Sequence, residues 1–154
     1  MQLEDNFTFA GPRAAVFELL LNPEVLARAL PGTNKLEQID DDTYQGEAQV
    51  RVGPMGGSFM MEVKILAKQP PESYQMAITG KSKLGFVQGS ATVALSETGP
   101  ALTTMHYLAE MQIGGKLAAL GQRLLDSVGK SMTKQSLENL NRELQERLAA
   151  LRQA

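Results

Sequence analysis

Apolar and polar residues alternate along most of the chain, and the period changes at defined points. Leu3, Phe7 and Phe9 share one face of the stretch Leu3 to Ala10, which reads as a strand because alternate side chains point to the same side. Gly11-Pro12 breaks it. Val16, Phe17, Leu20 and Leu21 then recur at helical spacing behind Pro12, and Asn22-Pro23 stops that helix. A proline at the start of a helix sacrifices no hydrogen bond, so Pro23 opens a second short helix that ends at Pro31-Gly32. From Thr33 onward the period is two. Thr33 to Ile39 is a strand closed by Asp40-Asp41-Asp42, and Tyr44, Ala48, Val50 and Val52 share a face of the next. Phe59, Met61, Val63, Ile65 and Ala67 alternate with Met60, Glu62, Lys64 and Leu66, and Pro70-Pro71 turns the chain. Tyr74, Met76 and Ile78 mark another strand, and Val87, Ala91, Val93 and Leu95 one more, ending at Gly99-Pro100. The last runs from Leu102 to Ile113, with Met105, Tyr107, Ala109, Met111 and Ile113 on one face.

Beyond Gly114-Gly115 the period becomes helical and no proline interrupts it. Leu117, Leu120, Leu124, Val128 and Met132 form one stripe, and Leu137, Leu140, Leu144, Leu148 and Leu151 a second stretch at spacings of three and four. An unbroken helix from Gly115 to Leu151 would span about 55 Å, whereas a domain of this size is on the order of 40 Å across. Either the helix breaks, with Gly129 the expected place, or its end projects and bares Leu144, Leu148 and Leu151 as a partner surface. Gly121 and Gly129 lie within the pattern, each costing about 1 kcal/mol relative to alanine. Either close packing on the sheet or space kept for a ligand compensates.

Antiparallel strands joined by short turns need a cover for their buried face, and the terminal helix is the one element long enough. The expected architecture is therefore α+β: a curved antiparallel sheet of about seven strands around one long C-terminal helix, with two short helices after the first strand. Such a sheet cannot lie flat on the helix along its whole length, and the gap between them suits a ligand. Phe59, Met61, Met76, Met105, Tyr107 and Met111 from the strands are expected to converge on Leu124, Val128 and Met132 of the helix, with Phe17 and Leu26 closing one end. The same residues would make a filled core.

Composition narrows this picture. A chain of 154 residues fits one domain covering its whole length. Its eight methionines and absent tryptophan suit an irregular core or an adaptable apolar site equally. Without cysteine there are no disulfides, thiolate metal sites or cysteine nucleophiles. A formal charge of −2 leaves no electrostatic footprint for nucleic acid. No apolar run approaches the roughly 20 residues of a membrane span, and no signal-peptide pattern opens the chain, so a cytoplasmic location is expected.

The inventory for catalysis is thin. The single histidine, His106, shares with Glu110 the strand face opposite Met105 and Tyr107, which places both in solvent. No paired histidines stand on a helix and no Gly-x-Ser-x-Gly elbow occurs, and no resident cofactor is implied. Asp40, Asp41 and Asp42 read as a solvated turn, since no calcium-loop spacing follows. Gly53-Pro54-Met55-Gly56-Gly57 lies between strands, where a phosphate loop would need a helix after it, and reads as a hairpin turn. Gly114-Gly115 precedes a helix, so an anion site and a corner that only glycine can turn are both open there.

Several motifs resemble the CoxG family of carbon monoxide dehydrogenase proteins. They are Asn22-Pro23-Glu24-Val25-Leu26 through Leu30-Pro31-Gly32; Val52-Gly53-Pro54; Gly85-Phe86-Val87-Gln88-Gly89-Ser90-Ala91; and Ile113-Gly114-Gly115-Lys116-Leu117-Ala118 running on to Asp126. They occur in the family's order over roughly Leu3 to Met132, although Ala29 and Thr33 stand where many relatives carry cysteine. The resemblance implies the helix-grip fold shared with START domains and pollen allergens of the Bet v type, and a deep apolar cavity. It also implies a place beside a molybdenum hydroxylase-type dehydrogenase, peripheral contact with the inner face of the membrane, and handling of a quinone. The expected function is non-enzymatic binding of an apolar, quinone- or lipid-like molecule. The alternatives are an interaction adaptor with a packed interior working through its terminal helix, and a cavity enzyme using Tyr44 or Tyr107.

Overall fold

In the computed structural model, which describes residues 1–153, the alternating stretches become seven strands of one sheet. These are β1 (Gln2–Phe9), β2 (Thr33–Asp40), β3 (Thr43–Val52), β4 (Met55–Gln69), β5 (Ser73–Ser82), β6 (Gly85–Gly99) and β7 (Leu102–Gly114). All pairings are antiparallel and the spatial order is β1-β7-β6-β5-β4-β3-β2. Each strand after the first is therefore joined to its neighbour by a short turn, and β1 completes the sheet beside β7. Val52 pairs with Met55, so Gly53-Pro54 is a two-residue turn. Gly53 has φ +59°, the left-handed conformation such hairpins require of their first residue. Gly56 and Gly57 belong to β4, paired with Arg51 and Val50. Ala67, expected inward, is exposed with φ +47° at a register shift between Leu66 and Gln69, because the bulge there ends the alternation.

Two short helices, α1 (Arg13–Leu20) and α2 (Pro23–Ala29), bridge β1 to β2. Pro12 is the N-cap of α1, one residue before it begins. For α2, Asn22 accepts hydrogen bonds at its Oδ1 from the amides of Glu24 (2.9 Å) and Val25 (3.2 Å), which satisfies donors that a helix start leaves free. Pro23 follows at the first helical position.

The chain after β7 breaks, though not at Gly129. Gly115–Leu120 winds as a 3-10 helix, Gly121 turns with φ +91°, and α3 then runs unbroken from Gln122 to Gln153. Gly129 is needed for proximity instead. A β-carbon there would lie 3.3 Å from Leu3 and 3.4 Å from Met1, so close packing against β1 compensates for it. The corner reading of Gly114-Gly115 accounts for the geometry: side chains there would strike the Phe86 ring and the Gly85 backbone.

The end of α3 does not project as a bare leucine stripe. Leu137, Leu140 and Leu144 are buried and Leu148 packs against the core, leaving Leu151 exposed. Leu144 fits against Gly11, where a β-carbon would come within 2.9 Å of it. Polar groups tie the same segment down. Gln145 donates to the Ala10 carbonyl (2.8 Å), Asn139 to the Ala29 carbonyl (2.9 Å), and Arg28 makes a forked pair with Glu143 (2.8 and 3.2 Å).

Two apolar clusters result. The larger joins Phe9, Val16, Leu19 and Val25 to Tyr74, Val93, Met105 and the buried leucines of α3; the smaller groups Val52, Phe59 and Leu117 with Leu124 and Val128. No helix among the described residues is long and apolar enough to cross a membrane.

Candidate functional site

The curvature that lets one sheet grip α3 leaves a cavity of about 420 Å3 between them. Its floor is the concave face of the sheet, including Tyr44 of β3, Met61, Val63 and Ile65 of β4, and Tyr74, Met76 and Ile78 of β5. Ala91 and Val93 of β6 and Met105, Tyr107 and Ala109 of β7 continue it. Its roof is Met132, Thr133, Ser136, Leu137 and Leu140 of α3, and Leu20, Leu21, Leu26 and Leu30 close the side under α1 and α2. The size falls within the usual range for small-molecule sites. Four methionines in the wall give it sides that can reshape around different apolar molecules.

Hydroxyls supply the side-chain polarity of the lining. Tyr44 donates to the Leu21 carbonyl at the end of α1. Thr133 and Ser136 donate back to Gly129 and Met132 in the preceding turn of α3 (2.8 and 2.7 Å). No carboxylate, amine, guanidinium or imidazole lines the cavity among the described residues. Burial pushes the phenols of Tyr44, Tyr74 and Tyr107 above their ordinary range, so they remain protonated at neutral pH and none is a resident base. His106 stands on the outer face, exposed, with Nε2 2.9 Å from Glu4, and Glu110 is exposed there too. Asp40, Asp41 and Asp42 form the β2–β3 turn, where the Asp42 amide donates to Asp40 (2.9 Å) and Lys68 lies 3.2 Å from Asp42. No cluster of metal-ligating side chains occurs among the described residues.

A groove between β1 and α3 shares Leu3, Tyr107, Thr133 and Leu137 with the cavity, so the two spaces meet there. Its outer rim is charged, carrying Glu4, Asp5, Lys130, Lys134 and Glu138.

Of the residues expected to converge, Leu26, Met61, Met76, Met105, Tyr107 and Met132 line this cavity. Phe17 does not; it is buried behind the wall, its ring edge-on to Tyr74 at 5.7 Å. Phe59, Leu124 and Val128 pack together in the smaller cluster, and Met111 lies against Gly89 and a shallow pocket near Met1. One cause covers the helical misplacements. The six residues of the 3-10 turn and the bend at Gly121 displace α3, so Leu124 and Val128 cap one end of the sheet while Met132 to Leu140 cross the cavity. Tyr74, Val93 and Leu140 also line it and stand out in the apolar pattern, but nothing in that pattern marks which part of an inward face stays uncovered.

A curved seven-stranded antiparallel sheet around a long C-terminal helix, with two short helices after the first strand, defines the helix-grip class of START-like domains. Within that class the chain belongs to the carbon monoxide dehydrogenase CoxG family, whose model matches residues 6–145. A conserved protein from Geobacillus kaustophilus has the same fold, with TM-score 0.91 at 24% identity over 95% of this chain and 96% of that one. The ZhuI aromatase/cyclase from Streptomyces sp. R1128 superposes with TM-score 0.70 at 15% identity, covering 96% and 95%. A START superfamily protein from Mycobacterium smegmatis does so with TM-score 0.72 at 6% identity, covering 94% and 97%. No curated protein matches the sequence.

Proposed function

We propose that this domain is a non-enzymatic binding module that holds an apolar, quinone- or lipid-like molecule in the cavity between sheet and helix. The observation that carries the proposal is the cavity's coexistence with an otherwise well-packed core. Side chains such as Ala91 and Ala109 stand at its floor where larger ones would fill the space and stabilise the fold, so the uncovered apolar surface costs packing that a ligand restores. The absence of titrating acids and bases from the described lining favours carriage over turnover. By family membership the partner is a carbon monoxide dehydrogenase-type molybdenum enzyme, to which the module would deliver or from which it would accept its cargo, with peripheral membrane contact along the route. The adaptor alternative has less support, because Leu140 and Leu144, which it needs as working surface, are buried in the core.

Native mass spectrometry of the purified protein, followed by denaturation and organic extraction, tests the reading. An apolar molecule at near-stoichiometric amount is the expected result. An empty protein that also fails to bind added quinones and fatty acids would overturn it.

A further inference from the structure

We infer that the cavity selects an uncharged ligand bearing a carbonyl or comparable hydrogen-bond acceptor, which the Tyr74 hydroxyl receives at the inner end of the site. This rests on the ligand-binding reading above and names the chemistry of the group that goes in first.

The argument begins with register. Tyr74 of β5 pairs with Val93 of β6, Val93 with Tyr107 of β7, and Tyr107 with Asp5 of β1. Tyr74, Val93 and Tyr107 all line the cavity, while Asp5 and Tyr107 border the groove between β1 and α3. With neighbouring strands about 4.8 Å apart, the two tyrosines sit roughly 10 Å from each other in one row. A molecule arriving through the groove meets Tyr107 first and Tyr74 last.

Tyr74 is 4% exposed. Its ring is braced edge-on by Phe17, which restricts where the hydroxyl can go. The Tyr44 hydroxyl is committed to the Leu21 carbonyl, and those of Thr133 and Ser136 to carbonyls of α3. Among the described residues the Tyr74 hydroxyl has no such partner and opens onto the cavity. Buried polar atoms are nearly always paired, and a phenylalanine would fill the same space without the cost of an unmet hydroxyl. The donor is therefore accounted for by a ligand acceptor. Burial keeps the phenol protonated, as a donor must be.

The acceptor should be neutral. No cation lines the cavity among the described residues, and a carboxylate brought to Tyr74 would lie buried without a counter-charge. The basic groups that could meet an anionic end, Lys130 and Lys134, stand at the outer groove instead.

The test is a matched pair of probes, 2-acetylnaphthalene and the nearly isosteric hydrocarbon 2-isopropenylnaphthalene, titrated calorimetrically into wild type, Tyr74→Phe, Tyr74→Met and Tyr44→Phe. In both Tyr74 variants the ketone-to-hydrocarbon affinity ratio should fall about tenfold while hydrocarbon affinity holds. In Tyr44→Phe the ratio should stay at the wild-type value. An unchanged ratio in the Tyr74 variants, or an equal fall in Tyr44→Phe, overturns the assignment and leaves apolar binding standing. Failure of folded wild type to bind either probe overturns the binding reading and this assignment with it.

Discussion

At the scale of single residues, the cavity is defined as much by what is small as by what is apolar. Ala91 is buried at the centre of the sheet, between Met76 of β5 and Ala109 of β7, and its methyl group leaves the overlying volume free. Filling that volume separates binding from folding. Ala91→Phe should lower affinity for apolar probes at least tenfold, because the ring occupies the site itself. Its effect on stability should stay within about 1–3 kcal/mol, the usual penalty of an oversized core residue, and here the void relieves part of it. Probe titration together with a denaturant melt reads both quantities. The tyrosines show the same division of labour at atomic level. Tyr44 uses its hydroxyl to pin the end of α1, whereas Tyr74, equally buried, leaves its own available. The inward position of both could be read from strand alternation; which hydroxyl is spoken for could not, since that depends on a loop carbonyl brought near by the tertiary fold.

At the scale of elements, the terminal helix does two jobs along its length. Its second half is structural: leucines in the core, Asn139 and Gln145 on backbone carbonyls, and Arg28 of α2 clasping Glu143. Its first half is the lid of the cavity, half-buried from Leu124 to Ser136 apart from its outward face. The clasp predicts a pH dependence. Hydrogen bonding to Arg28 holds the Glu143 carboxyl below the ordinary glutamate value of 4.5, so its stabilising contribution is fully present above that pH. It is lost as pH falls through the lowered folded-state value. Arg28→Ala should therefore melt below wild type near neutrality, with the gap closing as pH descends through the acid range. Thermal melts across that range measure it.

The elements themselves were largely legible, because alternation and helical spacing are local signals that tertiary context here reinforces. The length of the C-terminal pattern announced a break, yet both candidate glycines looked alike in sequence. Gly121 turns the chain and Gly129 lets the helix touch β1, a difference set by neighbours far away in the chain. Leu144 and Leu148 read as a protruding stripe because nothing local shows that Gly11 and the two short helices will fold over to meet them. The site residues split for the same reason: the strand residues Met61, Met76, Met105 and Tyr107 follow from alternation alone, whereas Leu124 and Val128 depended on the path of the helix.

At the scale of the whole molecule, the sheet holds two apolar clusters and spends its curvature on the space beside them. That space is a mechanical property as well as a chemical one. A void inside a folded protein is eliminated when the chain unfolds, so unfolding shrinks the system and hydrostatic pressure favours it, by an amount that scales with the void. Without a ligand, the 420 Å3 cavity makes this domain soft under pressure. A well-fitting apolar probe should raise its unfolding pressure more than its affinity alone explains, and Ala91→Phe should do so with no probe present. Intrinsic tyrosine fluorescence in a high-pressure cell would record both shifts. For a module that must take up and surrender its cargo, such compressibility means that the loaded and unloaded forms differ in volume and stiffness, a difference that a partner pressing on the lid could sense without touching the cargo.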